Sequence, residues 1–475
     1  MRIARGWVGS KKAQIILLLI VLAAGTGAQA ATGSKLSGEA RARIDGIVQQ
    51  ALEQSGVPSA SVAVVKDGEI AYVQAYGLAH VEPATAARPE MRYSIGSISK
   101  QFTAAAVLLL AEQGKLSLDD PVSRFLPSLT RAKEVTIRQL LSHTSGFQDY
   151  WPQDYVPPLM LQPIAARTIL ELWARKPLDF DPGTKWQYSN TNYVIAGLIA
   201  EKASGMPLFQ FLREKIFTPL GMLNVTDSDQ EKLGEADPTG YMRYALGPLR
   251  AAPKEGKGWL FAAGELAMPA ADLAKWDISL MEEKLMKPAS YGQLETEVRL
   301  KNGLGARYGL GIGVFPDGGR RALEHDGEVS GFTAQNNVFP DERAAIVVLT
   351  NQDASRASGE IANRIASLLF FSADQATAAK LETARKILDG LQHGMIDRKL
   401  FTANANSYFS DDALQDFASS LGPLGSPQEF TQTSRSLRGG MTGRVYSVKF
   451  ASKSLRIWTF EMPDGEFEQY QIAPQ

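Results

Sequence analysis

A hydroxyl and an ammonium stand three positions apart in "YSIGSISKQFTAAAVLLLAEQG", residues 93 to 114, at Ser97 and Lys100. On a helix, residues i and i+3 share a face, so the Ser97 oxygen and the Lys100 nitrogen can meet. A cation in the first turn of a helix opposes the macrodipole, whose N-terminal end is itself positive. The run that follows is apolar nearly all round, the mark of a buried helix, here ending at Gly114. Burial and the dipole lower an amine's pKa toward the range where its neutral form accepts a proton, and such an amine can turn a nearby serine into a nucleophile. The competing account is that Ser97 caps the helix while Lys100 snorkels to solvent. Ser-x-x-Lys is expected roughly once or twice by chance in a chain of this composition, so the pair alone does not decide.

Two further groupings carry chemistry. In "DPGTKWQYSNTNYVIAGLIAEKASG", Tyr188 and Asn190 lie two positions apart between a turn and an amphipathic helix ending at Gly205. In an extended segment i and i+2 point the same way, which turns a phenol and a carboxamide toward one cleft; the plainer account is that Asn190 caps the helix. In "LEHDGEVSGF", His325-Asp326-Gly327 closes an apparent strand, with His325 on the side of Leu323 and Gly327 leaving backbone open to a substrate. His143 in "HTSG" invites comparison with a histidine base, but the chain has no Gly-x-Ser-x-Gly elbow, and a turn-shaping role is expected of it.

The elements that must position these groups fall into an ordered pattern. A helix is expected over Gly38 to Gln54, then a hairpin in "SVAVVKDGEIAYVQAYG" turning at Lys66-Asp67-Gly68. From about Phe102 to Leu285 the pattern is mostly helical, broken by turns such as "DPGTKW" and "TPLGM". Strand signals return in "GARYGLGIGVFP", "RRALEHDG", "TAQNNVFP" and "RAAIVVLTN", followed by a helix at about Ser358 to Phe370. The glycines of "GLGIG" suit close packing on a strand better than a phosphate loop, since no helix or Walker lysine follows. The expectation is an α+β fold, an antiparallel sheet built from both ends of this region and flanked by helices, with a large helical subdomain between. Residues 372–382 read as a linker to a small C-terminal α+β domain over 383–475, with strands in "GRVYSVKF", "KSLRIWTFEM" and "GEFEQYQI".

Composition narrows the functions. The chain has 475 residues, of which 44% are apolar and 21% charged, with a formal net charge of -1. No Lys/Arg cluster lies beyond the extreme N-terminus, which argues against nucleic acid as a partner. Residues 1–30 run from Arg2, Arg5, Lys11 and Lys12 through "IILLLIVLAA" to "AQA", the pattern of a secretory signal, with the mature chain expected to begin near Ala31 and a linker over 31–38. Export to the periplasm or outside the cell follows; an uncleaved segment would instead tether the protein to a membrane. There are no cysteines, so disulfides and thiolate chemistry are excluded, and the four histidines show no metal-ligand spacing.

Together, and in this order, the three groupings resemble the serine β-lactamase and penicillin-binding-protein superfamily, and most of all its class C β-lactamase-like group, which also includes esterases and D-amino-acid amidases and peptidases. The resemblance covers about Glu39 to Phe371, assigned as a domain over 39–371, and extends to "LLSHTSGF", "FTPLGM", "AAGELAMPAADLAKW" and "YGLGIGV". It implies a Ser97 acyl-enzyme formed on an ester, amide or β-lactam, with Lys100 and Tyr188 acting as one proton-transfer unit. It further implies an oxyanion hole from the backbone N–H groups of Ser97 and Glu328, with Asn190 holding Lys100 and the substrate amide, and His325 and Gly327 on the binding side. Neither metal nor organic cofactor is called for; the partner is a small-molecule or peptide substrate. Where good penicillin hydrolases of this group have Lys-Thr-Gly, this chain has His325-Asp326-Gly327, which removes a permanent cation for a substrate carboxylate and places β-lactam hydrolysis in doubt. Two other functions remain open on the same scaffold: a receptor acylated without turnover, and a pure interaction protein.

Overall fold

The computed structural model describes residues 36–317, 320–371 and 375–475. The leader expected over residues 1–30 therefore lies outside the described residues.

Strands β1 (Ser59–Lys66) and β2 (Glu69–His80) form a hairpin turned at Asp67 and Gly68, whose φ angles of 55° and 80° are left-handed. That pair of left-handed residues matches the twist of the two strands, which is why Asp-Gly marks such turns. The short β3 (Thr85–Ala86) pairs with β2. The rest of the sheet comes from far along the chain: β4 (Gly313–Asp317), β5 (Arg320–Val329), β6 (Phe332–Phe339) and β7 (Ala344–Thr350). The order is β3-β2-β1-β7-β6-β5-β4, antiparallel throughout, with Val62 opposite Val348 and His325 opposite Asn336.

Helix α1 (Gly38–Ser55) precedes this sheet, α2 (Ser99–Glu112), α3 (Asn190–Ser204) and α4 (Ala270–Glu282) fall between its halves, and α5 (Ala357–Phe371) follows it. Alternate residues of the central strands feed two cores. Val62, Val64, Ile346 and Val348 pack with Ile44, Val48, Ile361 and Ile365 of α1 and α5. Ala63, Val65, Val347 and Leu349 belong to the core of Phe102, Leu273 and Trp276 on the opposite face. A strand buried on both faces needs no polar alternation, hence the unbroken runs "ASVAVV" and "AAIVVLT".

Helix α2 is the hub. All its residues from Ser99 to Leu108 are buried, and Phe102 stacks 4.8 Å from Trp276 and 5.4 Å from Phe217. Truncating an aromatic so enclosed costs about 3–5 kcal/mol, so the helix that carries Lys100 is held rigidly.

The region between the sheet halves is less helical than its pattern predicts. Long helices occur at α2, α3 and α4, but much of the intervening chain is turns, one-turn helices and two- or three-residue strands such as Leu266–Met268. "GARYGLGIGVFP" is extended only from Gly313, because Gly309 and Gly311 are tucked against other backbone: a Cβ would come within 2.1 Å of Leu294 O at the first and 2.8 Å of Lys100 O at the second.

A small C-terminal domain follows. Helix α6 (Gln375–Gln392) occupies most of the stretch expected as linker, and α7 (Asp411–Leu421) packs against it. Four antiparallel strands complete it in the order β8 (Glu429–Arg438), β9 (Met441–Lys449), β10 (Ser454–Glu461) and β11 (Phe467–Pro474). Its core, including Leu388, Leu391, Phe409, Tyr446 and Tyr470, is a cluster of its own. Among the described residues no helix is long and apolar enough to cross a membrane.

Candidate active site

Ser97 sits in one turn of 3-10 helix, Gly96–Ile98, that runs straight into α2. The turn is clamped onto β5 by two glycines. Gly96 has φ of 51°, and a Cβ there would meet Glu328 N at 2.7 Å; a Cβ on Gly327 would meet Ile95 O at 1.9 Å and Ser97 N at 3.3 Å. Only side chains without a Cβ let the strand and the serine turn touch backbone to backbone. Gly327 is thus fully accounted for by contact with the protein's own Ile95, which corrects the expectation that it leaves room for substrate.

Lys100, on the first turn of α2, is fully buried, and its Nζ donates to Ser97 Oγ at 2.9 Å and to Ala263 O at 2.7 Å. From the other side Tyr188 Oη donates to Ser97 Oγ at 2.7 Å. Burial lowers the Lys100 ammonium from 10.5 to about 7, against the opposing pull of the Asp149 and Asp326 charges. The same burial pushes the Tyr188 phenol up. An amine that is half neutral at pH 7 and a phenol that keeps its proton therefore converge on one hydroxyl. The snorkelling alternative fails on the complete burial of Lys100.

Asn190 is the first residue of α3, one extended residue after Tyr188, and both line the cleft. Its side chain does not reach Lys100. Asn190 Nδ2 donates to Asp149 Oδ2 at 3.3 Å and its backbone N–H to Asp149 Oδ1 at 3.0 Å, so Asp149 supplies the carboxylate at the helix N-terminus. The expectation that Asn190 holds Lys100 is corrected: the carbonyl of Ala263 does. Burial raises the Asp149 carboxyl.

His325 is also placed differently from expectation. It is buried rather than lining the cleft, with Nδ1 2.5 Å from Asp326 O and Nε2 2.7 Å from Tyr308 Oη. A carbonyl only accepts, so Nδ1 carries the ring proton and Nε2 accepts from Tyr308. Burial lowers its pKa, so this imidazole is neutral and both nitrogens are committed. Asp326 and Glu328, its neighbours on β5, line the cleft instead.

His143 lies behind Tyr188. Its Nδ1 accepts from Ser189 N at 3.2 Å, its carbonyl from Gln187 N at 3.0 Å, and its ring packs 4.3 Å from that of Tyr188. With Nδ1 occupied as acceptor and burial driving its pKa well down, it is no base for Ser97. It shapes the segment that presents the phenol.

These groups open into a cavity of about 770 Å³, to which Ser97, Tyr188, Asn190 and Asp149 contribute and whose rim carries the exposed rings of Tyr155 and Trp186. Two members escaped the sequence reading. Ala263 acts through its backbone, which leaves no side-chain signature, and Asp149 was one acid among 51 acidic residues, two positions past the "HTSGF" stretch. Among the described residues no group of three or more His, Asp or Glu is arranged to hold a metal ion.

Comparison with known proteins bears on the family and the fold. A Bacillus subtilis (strain 168) protein named as a penicillin-binding protein, PbpX, is 28% identical over 320 residues, 66% of this chain and 75% of that protein. A D-aminopeptidase of Brucella anthropi is 29% identical over 299 residues, 62% of this chain and 56% of that protein. The octameric penicillin-binding protein homologue of Pyrococcus abyssi superposes with a TM-score of 0.62 over 91% of this chain and 99% of its own, at 22% identity, a likeness of fold that takes in the C-terminal region. The Beta-lactamase family profile matches residues 44–369, spanning the serine turn, the tyrosine segment and β5, and the chain belongs to that family.

Proposed function

We propose that the protein is an exported serine hydrolase that forms an acyl-enzyme on Ser97 from an ester or amide substrate. The observation that carries this is the convergence of two proton-transfer groups on one oxygen at the head of a cleft: Lys100 Nζ at 2.9 Å and Tyr188 Oη at 2.7 Å from Ser97 Oγ. Membership of a family that includes a D-aminopeptidase supports hydrolysis as the reaction class.

As Ser97 Oγ attacks the carbonyl carbon, its proton passes to the neutral Lys100 amine, the new O–C bond forms, and the carbonyl oxygen becomes an oxyanion. The backbone N–H groups of Ser97 and Glu328, brought together by the two glycines, receive that charge. Collapse breaks the bond to the leaving nitrogen or oxygen, which takes the Tyr188 proton while the Lys100 ammonium restores it. The net transfer is one proton from Ser97 to the leaving group. Water then attacks the acyl-enzyme by the reverse relay, releasing the acid and the free serine. Asn190, on the cleft wall, is offered to the substrate amide.

Mixing the chain from residue 31 onward with p-nitrophenyl acetate tests this. Continued release of nitrophenol after the first equivalent, together with its loss in Ser97→Ala, is expected. A single equivalent followed by silence would make the protein an acylated receptor instead. Export rests on the signal-like residues 1–30 and is tested by N-terminal sequencing of the protein recovered outside the cytoplasm, expected to begin near Ala31.

A further inference from the structure

The cleft is a substrate site because Ser97 opens into it; what it selects is set by its charge. Six carboxylates line it, Asp149, Asp154, Asp179, Asp326, Glu328 and Asp353, and no lysine or arginine is among the described lining residues. In a chain with 51 acidic and 50 basic residues, six against none is a local bias rather than the average composition.

Nor are these charges cancelled in place. Asp149 accepts from the N–H groups of Trp151 and Asn190, Asp179 from the Gln187 carboxamide, Glu328 from Ala354 N, and Asp353 from Gly331 N, all neutral donors. The Asp326 side chain is 86% exposed, and among the described residues its one ion-pair neighbour is His325 at 3.9 Å, already neutral and committed to Tyr308 and a carbonyl. Lys100 lies beneath the serine and outside the lining, fully buried, and near pH 7 only about half of it is charged against the six acids. Burial raises the Asp149, Glu328 and Asp353 carboxyls, a cost that an incoming cation would relieve. The walls also carry Trp151, Tyr155 and Trp186, whose ring faces suit an alkyl stem or a cation. A substrate carboxylate would meet this field with no cationic partner in the lining.

We propose that the enzyme takes acyl donors bearing a protonated amine, such as amino-acid amides and esters with a free amino group, and disfavours anionic ones. Asp326, beside the serine turn on β5 and without a cationic partner, is the main discriminating residue. This rests on the Ser97 hydrolase reading, and the experiment separates the two.

Alanine p-nitroanilides of both hands, with the amine free, N-acetylated or N-succinylated, are compared at pH 7 and low salt, beside p-nitrophenyl acetate as a neutral acyl donor. The expected order of kcat/KM is free amine, then acetyl, then succinyl, with about tenfold or more between the first and second for the preferred hand. Added salt should compress that ratio. Asp326→Asn and, separately, Asp154→Asn should lower the ratio of free-amine to succinyl turnover, with thermal unfolding confirming that both variants fold. Turnover of p-nitrophenyl acetate through Ser97 with no advantage for the free amine overturns this proposal and leaves the hydrolase standing. An amine preference unaltered in both variants overturns the assignment to these acids. Failure of every substrate, with no acyl group on Ser97, overturns both readings.

Discussion

The imidazole of His143 lies 4.3 Å from the phenol ring of Tyr188, and the residue holds the peptide on either side of that tyrosine, its backbone carbonyl accepting from Gln187 N and its Nδ1 from Ser189 N. His143 takes its own place at φ of 58°, so the turn and the grip on Tyr188 come from one residue.

Replacing His143 by alanine leaves a buried N–H at Ser189 unpaired and a gap beside the phenol. The structural cost should be about 1–3 kcal/mol. Because the effect on chemistry passes through the position of Tyr188, kcat should fall about ten- to a hundredfold with KM little changed. Asn, whose side-chain oxygen can accept from Ser189 N, should recover part of the rate. A His143→Ala enzyme with lowered melting temperature but full kcat would reduce the residue to a packing role.

Lys100 sets the acid limb of the pH profile. Its ammonium is lowered from 10.5 to about 7 by burial, so the neutral base is lost as pH falls through about 7, and kcat/KM should rise with pH across that value before levelling. The linkage to stability has a definite sign. Between about 7 and 10.5 the unfolded chain binds the proton that the folded chain has released, so the Lys100 contribution grows more favourable as pH rises through that window. Stability measured against Lys100→Met should therefore gain on the variant as pH increases, while the variant stays folded and acylates more slowly by about a thousandfold or more. A flat difference between the two across pH 7 to 10 would mean that the amine is not held neutral.

Much of this site was legible because its signals are local. Ser97 and Lys100 are one helical turn apart, Tyr188 and Asn190 two residues apart where the chain enters α3, and Asp67-Gly68 sits at the tip of a two-residue turn. What escaped depends on contacts between distant segments. Ala263 meets Lys100 through a carbonyl, and Asn190 turns to Asp149 rather than to Lys100. His325 points away from the cleft because Tyr308, 17 positions earlier, hydrogen-bonds it. Glycines misled for a related reason: Gly309 and Gly311 resemble strand residues but are held against Leu294 and Lys100. Strand β8, whose sequence EFTQTSRSLR holds only Phe430 and Leu437 as apolar residues, seven positions apart, shows too little apolar alternation to be seen.

Asp149 offers a test of the electrostatics around the base. Its charge favours the ammonium form of Lys100. Asp149→Asn keeps an oxygen for the N–H groups of Trp151 and Asn190 while removing that charge, so the acid limb should move to lower pH by about half a unit to one unit. Loss of an anion at the start of α3 should cost about 0.3–1 kcal/mol. A limb displaced upward would show that Asp149 does not act on Lys100 through its charge.

The contact between β5 and the serine turn can be broken by a single methyl group. In Gly327→Ala the new Cβ would lie 1.9 Å from Ile95 O, and a backbone carbonyl cannot swing aside as the tip of a side chain would. Either the strand or the turn must move, and both carry an N–H assigned to the oxyanion. The variant should lose about 1–3 kcal/mol of stability to overpacking and at least about a hundredfold in kcat. Gly292→Ala is the internal control: it lies within the helix Pro288–Glu295 and a Cβ there meets nothing within 4 Å, so that change should stabilise by up to about 1 kcal/mol and leave turnover alone. Wild-type kcat in Gly327→Ala would mean that the serine turn and β5 need not touch for the reaction to run.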